Sequence, residues 1–264
     1  MLAIAAAAMA RDRDDRLKTI TLFAAETDFT EAGELTLFLG NSQVAYLEDM
    51  MWEQGYLDTR QMSGAFQLLR SNDLIWSQAV RQYLQGKRVP MNDLMAWNAD
   101  ATRMPYRMHS EYLRRLFVEN ELAEGQYRVD GRPIALTDIR APLFVVATRT
   151  DHVAPWLSVY KIHLLTEGPI SFVLTSGGHN AGIVSEPGHP GRTYQIAHRP
   201  SGGRYIDPET WAAATPVGQG SWWPAWADWL GEHSSPPGPA PSLGAPDGGF
   251  PAIADAPGRY VLDP

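Results

Sequence analysis

Two short apolar runs stand out in the second half of the chain. APLFVVATR, residues 141–149, and PISFVLTSG, residues 169–177, carry no charge until they end, the pattern of strands buried on both faces. Between them WLSVYKIHLLTEG, 156–168, spaces its apolar residues as a helix does, with Gly168 placed to stop it. Strand, helix and strand with short loops predict a right-handed parallel unit in an open α/β sheet. An earlier run, ITLFAA at 20–25, predicts another buried strand. The opening MLAIAAAAMA lacks a basic leader and is followed at once by RDRDDR. It is too short to span a bilayer, and it predicts a core helix.

Residues 44–125 have a different rhythm. VAYLEDMMWEQGYL, SNDLIWSQAVRQYLQG and MHSEYLRRLFVENELAEG read as long helices, the second capped by Ser71 or Asn72, with Pro90 and Pro105 as punctuation. So long an interruption of a sheet predicts a helical cap. The expected organisation is residues 1–43 as core helix and strand, 44–135 as the cap insertion, 136–233 as the rest of the α/β part, and 234–264 as an extended Pro- and Gly-rich tail. Within 136–233, GSWWPAWADWLGEH at 220–233 predicts an amphipathic helix capped by Ser221. Its indoles read more readily as core than as a polymer-facing patch. No internal repeat is seen.

Composition narrows the chemistry. The 264 residues contain no cysteine, which excludes disulfides, thiolate zinc sites and a cysteine nucleophile within this sequence. The net charge of −8 argues against a nucleic-acid groove. No H-x-x-x-H or H-E-x-x-H spacing points to a metal.

Functional groups of open parallel sheets gather at the carboxyl ends of the strands. Asp151 follows the second strand, in ATRTDHVAPW, and His179 follows the third, in TSGGHNAGIV. An acid and then a histidine at consecutive strand ends is the chain order of the last two members of an α/β-hydrolase triad. In that chemistry the imidazole takes the nucleophile's proton and the carboxylate fixes the imidazole's tautomer. Gly177 and Gly178 allow the loop to turn sharply. Each residue also has a plainer reading: an Asp after a strand often caps a turn, and a His in a glycine loop is usually solvated. His163 reads as a residue of a helix face, and His189, His198 and His233 receive no role. No G-x-S-x-G or G-x-C-x-G is present, and Ser63, Ser176 and Ser221 lack the flanking pattern.

Several stretches together resemble one family. TLFAAETDF (22–29 within it), SNDLIWS (71–77), LMAWNADATRMP (94–105), MHSEYLRRLFVEN (108–120), TDHVAPW (150–156), SGGHNAGIVSEPG (176–188), GSWWPAW (220–226) and DAPGRYVLDP (255–264) resemble the C-terminal part of the catalytic domain of poly(3-hydroxyalkanoate) synthases. These bacterial acyltransferases polymerise (R)-3-hydroxyacyl-CoA into polyester. The resemblance implies a truncated α/β-hydrolase fold with a helical cap, and a Cys–His–Asp triad in which Asp151 is the acid and His179 the base. The family's cysteine lies in a G-x-C-x-G-G box, and the resemblance places that box just before residue 1. The implied substrates are the hydroxyacyl-CoA and the growing polyester, with no cofactor and no metal. The implied setting is cytoplasmic, at the polyester granule surface, with homodimers or mixed synthase assemblies paired through the cap. The expectation is a chain inactive alone and, with ITLFAA at a bare sheet edge, poorly soluble or only partly folded. The alternative is a non-catalytic synthase-like protein that pairs with full-length synthase or binds granules. A serine hydrolase using an unusual loop is the least supported reading.

Overall fold

A computed structural model describes residues 1–58, 76–87, 90, 93, 96–97, 103–256 and 258–259. The proposed Ser71 or Asn72 cap and Ser63 lie outside the described residues, as does much of the 94–105 and 255–264 stretches. The chain divides into two compact units, Met1–Ala227 and Asp228–Pro264.

The first unit is mixed α/β. Its sheet runs β1 (Ile20–Phe23), β2 (Leu143–Thr148), β3 (Ile170–Thr175), β4 (Thr193–Arg199) and β5 (Val217–Gln219), in that spatial order. The first three strands are parallel, with Ile20 opposite Leu143 and Leu143 opposite Ile170. Every residue of β2 and β3 is buried, as unbroken apolar runs require. β4 and β5 join antiparallel. The expectation of a parallel sheet is therefore correct for three strands and is extended by two that the Pro- and Gly-rich sequence beyond residue 185 did not announce.

Register sorts the two faces. Leu22, Val145 and Phe172 stand in one row and share a core with Ala3, Ile4, Ala6 and Ala7 of helix α1 (Leu2–Arg11) and with Val159, Tyr160 and Trp211. Small alanines let α1 lie close to the sheet. On the other face Phe144 and Phe23 meet Trp222, with ring centroids 6.4 and 5.4 Å away. Trp222 is 1% exposed, and Trp226 Nε1 donates to Thr21 Oγ1 at 3.1 Å. The first residues of the Trp-rich segment are thus core. Ser221 Oγ accepts at 3.0 Å from the N–H of Trp223, the first residue of the helix Trp223–Glu232, while Trp222 rather than Ser221 holds the position just before it.

Between β1 and β2 lies α2 (Asn41–Gln54), ended by Gly55 at φ 77°, then α3 (Tyr106–Tyr112), which continues as a π-helical turn over Leu113–Val118. A two-residue antiparallel pair, Tyr56–Leu57 with Met104–Pro105, closes the base of this insertion. Arg114 Nη2 meets Glu48 Oε2 at 2.5 Å and ties the π turn to α2. The long helix expected over 108–125 stops at Val118 and gives way to turns.

The segment after β2 also departs from expectation. One helix was predicted, whereas two short ones form, α4 (Trp156–Tyr160) and α5 (Ile162–Leu165). Gly168 does not cap them. A Cβ there would meet the Ala141 carbonyl at 3.2 Å, so this glycine serves close backbone approach, and its own carbonyl accepts from Arg199 Nη2 at 2.9 Å.

The second unit holds the end of the helix Trp223–Glu232 and the tail. The tail is not wholly extended: Gly244–Ala245 and Phe250–Pro251 pair around a 3₁₀ turn at Pro246–Gly248.

Candidate active site

Three acidic or basic side chains stand just beyond the carboxyl ends of the three parallel strands. Glu26 follows β1, Asp151 follows β2, and His179 follows β3. Parallel strands put these ends on one edge of the sheet, which is why residues 125 and 28 positions apart become neighbours.

The structure brings Asp151 and His179 together. His179 Nδ1 lies 2.8 Å from Asp151 Oδ2. The same oxygen accepts from Thr148 Oγ1 at 3.0 Å. The other oxygen, Oδ1, accepts from the backbone N–H groups of Val153 and Ala154, each at 2.9 Å. One oxygen thus organises the turn into α4, as the capping reading expects, while the other meets the imidazole. The carboxylate side chain is 0% exposed. Burial alone would raise its pKa, but His179 and the two backbone donors outweigh that and hold the carboxyl below its usual range.

His179 is the first residue of helix α6 (His179–Ile183) and is partly exposed. Its loop is locked in place. Gly177 sits at φ 100°, a conformation that favours glycine, and its carbonyl accepts from the Thr150 N–H at 3.1 Å, joining the loops after β2 and β3. Gly182 lets α6 lie against β2, since a Cβ there would come within 2.6 Å of Thr148 Cγ2. Trp222 Nε1 donates to the Gly182 carbonyl at 3.0 Å and fixes the same helix from the far side. With Nδ1 assigned as the donor to the carboxylate, Nε2 is the nitrogen left for proton transfer.

His179 edges a cleft of about 270 Å³. Its walls are mostly apolar, including Ile4, Ala24, Phe29, Leu116 and Phe117. Among the described residues its polar side chains are Glu26, Tyr112 and His179, and no serine, threonine or cysteine lines it. Met1 stands at its rim. Ser176 and Ser221 are occupied elsewhere: Ser176 Oγ accepts from the Thr193 N–H at 3.0 Å, and Ser221 Oγ donates to the Ser185 carbonyl. Nothing in the cleft supports the serine hydrolase reading.

Sequence reasoning passed over Glu26 and Tyr112. Burial pushes the Glu26 carboxyl up to about 8, against the nearby Ser158 hydroxyl and with the Asp151 charge adding to the rise. Burial, with Glu26 nearby, also raises the Tyr112 phenol. The strand-end rule that singled out Asp151 applies equally to Glu26 in AAETDF. A second cavity of about 220 Å³ adjoins His163 and Arg199. His163 is buried against Tyr160, ring centroids 4.4 Å apart, and burial followed by the Arg199 charge lowers its pKa to about 4. It is a neutral core histidine. Among the described residues no group of three or more His, Cys, Asp or Glu is arranged to hold a metal ion, and no helix is long and apolar enough to cross a membrane.

No family model matches the chain. Curated proteins do. The chain is 41% identical over 261 residues to a poly(3-hydroxyalkanoate) polymerase of Methylorubrum extorquens, covering 99% of this chain and 42% of that protein. It is 40% identical over 265 residues to the poly(3-hydroxyalkanoate) polymerase subunit PhaC of Rhizobium etli, covering 100% of this chain and 40% of the relative. The corresponding subunit of Cupriavidus necator is 31% identical over 267 residues, with 99% and 44% covered. The chain thus spans well under half the length of the relatives it matches.

Proposed function

We propose, from the premise that this chain is related along its whole length to the poly(3-hydroxyalkanoate) polymerases, that it is the acid-and-base portion of a polyester-forming acyltransferase. The observation that carries the reading is the 2.8 Å contact of Asp151 with His179 at the rim of an apolar cleft. The fold it implies is that of the C-terminal part of an α/β-hydrolase with a helical insertion.

In this reading a thiol outside these 264 residues is delivered to His179. Nε2 takes the thiol proton while the sulfur attacks the thioester carbonyl of a 3-hydroxyacyl-CoA. The carbon–sulfur bond to CoA breaks, and the CoA sulfur leaves with the proton held by the imidazolium. An acyl-enzyme thioester remains. The 3-hydroxyl of the next unit then gives its proton to Nε2 as its oxygen attacks that thioester. A new ester forms, and the enzyme sulfur departs with the proton. Asp151 holds the imidazole in the working tautomer and stabilises each imidazolium. The apolar cleft excludes water, which would otherwise hydrolyse the acyl-enzyme. No cofactor is required. Pairing through the insertion, and residence in the cytoplasm at the polymer surface, belong to the same proposal.

The test is expression in cells lacking a polyester synthase. The chain alone is expected to yield no polymer. Together with the upstream portion of a relative carrying G-x-C-x-G-G, it is expected to yield polymer that His179→Ala abolishes. Polymer from the combination with His179→Ala intact in yield would refute the assignment. Co-purification with intact synthase, without any gain of activity in the combination, would favour the non-catalytic alternative.

A further inference from the structure

Glu26 does nothing yet in the chemistry above, although it stands in the same row as the acid and the base. It lies three residues past the end of β1, as Asp151 lies three past β2 and His179 four past β3. It lines the cleft that His179 edges. Its Oε1 is shut off from solvent and has no hydrogen-bond partner. Buried polar atoms in folded proteins are nearly always paired, so an unpaired one calls for an explanation. The neighbouring Ser158 hydroxyl, which moderates the rise of the carboxyl's pKa, donates its proton to the Asp28 carbonyl at 2.8 Å and leaves Oε1 unpaired. The local cation is occupied too: Lys161 Nζ is 2.9 Å from Glu31 and 2.7 Å from Thr30 Oγ1.

The surroundings indicate what the missing partner is. The side chains of Ala24, Ala25, Phe29 and Leu116 beside it are apolar. A ligand that fills such a space is largely hydrocarbon, and it needs one polar group where Glu26 stands. A simple fatty acyl chain has nothing to offer there, whereas a hydroxylated one does. A site built to hydrogen-bond a hydroxyl discriminates against the analogue lacking it, because its own polar group is then left stranded.

We propose that Glu26 is a specificity-determining residue of the cleft, the group that hydrogen-bonds the 3-hydroxyl of an acyl thioester otherwise held by apolar contacts. This rests on the acyltransferase reading and adds to it the feature by which a hydroxyacyl thioester is told from a plain one. Among the described residues Tyr112 is the other polar side chain of the cleft besides His179, and it completes the polar side of the pocket.

The test measures binding of 3-hydroxybutyryl-CoA and of butyryl-CoA to the full chain by calorimetry. The unsubstituted protein is expected to prefer the hydroxylated thioester by about tenfold, the scale of a single hydrogen bond. Glu26→Leu is expected to bring the two affinities within about twofold of each other, by weakening only the hydroxylated ligand. Glu26→Gln, which keeps a donor and an acceptor in place, is expected to retain the preference. Glu26→Met serves as a second apolar replacement should the leucine variant not fold. Equal binding of both thioesters by the unsubstituted chain, or an unchanged preference in the apolar variants, overturns the role of Glu26 and leaves the acyltransferase reading standing. Failure of the unsubstituted chain to bind either thioester overturns the acyltransferase reading and this inference with it.

Discussion

Asp151 serves His179 and its own backbone with different oxygens: Oδ2 meets the imidazole at 2.8 Å while Oδ1 accepts two backbone N–H groups at 2.9 Å. The two tasks separate on mutation. Asp151→Ala leaves both amides and Thr148 without a partner and is expected to cost about 3 kcal/mol of stability. Asp151→Asn keeps an acceptor for the amides and is expected to cost about 1 kcal/mol, while still failing in the complementation assay because the amide selects the wrong imidazole tautomer. Urea denaturation of both variants checks the difference.

The contact of α6 with β2 is tight enough to be tested by a single methyl. Gly182→Ala places a carbon within 2.6 Å of Thr148 Cγ2. A destabilisation of about 2 kcal/mol is expected, with His179 displaced from Asp151. Thr148→Ser removes that methyl and keeps the hydroxyl bonded to Asp151. The double variant is therefore expected to be more stable than the sum of the two single changes, which a double-mutant cycle measures.

Two buried groups give stability opposite pH slopes. Glu26 has its folded pKa raised to about 8, so its contribution is full below the unfolded carboxylate value and is lost as pH rises towards 8. His163 has its folded pKa lowered to about 4, so its contribution is full above the ordinary imidazole value and is lost as pH falls towards 4. Where both titrate, between the unfolded carboxylate and imidazole values, the slopes oppose. Above that window, of these two groups only Glu26 still titrates, with a slope of its own approaching about 1.4 kcal/mol per pH unit. Glu26→Gln is expected to flatten the decline between neutral pH and 8, and thermal melts across that range show whether it does.

Trp222 joins the sheet to the histidine's helix. It is 1% exposed, packs 5.4 Å from Phe23, and donates to the Gly182 carbonyl at 3.0 Å. Trp222→Ala is expected to cost about 4 kcal/mol through the cavity it leaves. Trp222→Phe keeps most of the packing but strands the carbonyl, for a cost of about 2 kcal/mol. Equilibrium unfolding distinguishes the two contributions.

The parts of this fold that sequence reveals are those where burial alone decides the residue. LFVVAT and ISFVLT are covered on both faces, so nothing polar interrupts them until the strand ends. β4 was hidden for the opposite reason. Its most buried position is Gln195, which is tolerated because its amide donates to the Ala212 and Thr215 carbonyls and its oxygen accepts from Arg149. A glutamine at the centre of TYQIAHR erases the apolar signal, and only the tertiary partners restore it. The site shows the same division. The meeting of Asp151 with His179 was legible because a carboxylate and an imidazole follow recognisable strands. The position of Glu26 obeys the same strand-end rule, but its burial was not legible, because that is made by α3 and the π turn, more than eighty residues away in the chain. The two short helices after β2 and the structural use of Gly168 likewise depend on Arg199, whose guanidinium collects the carbonyls of His163, Thr166 and Gly168 from a distant strand.

Among the described residues β1 is paired on one side only, with β2. That open edge has a polarity. A strand laid alongside β1 in the same direction would finish on the edge of the sheet where Glu26, Asp151 and His179 emerge. Laid the other way round, it would finish at the opposite edge. Direction, rather than affinity, therefore decides which end of the sheet such an addition extends.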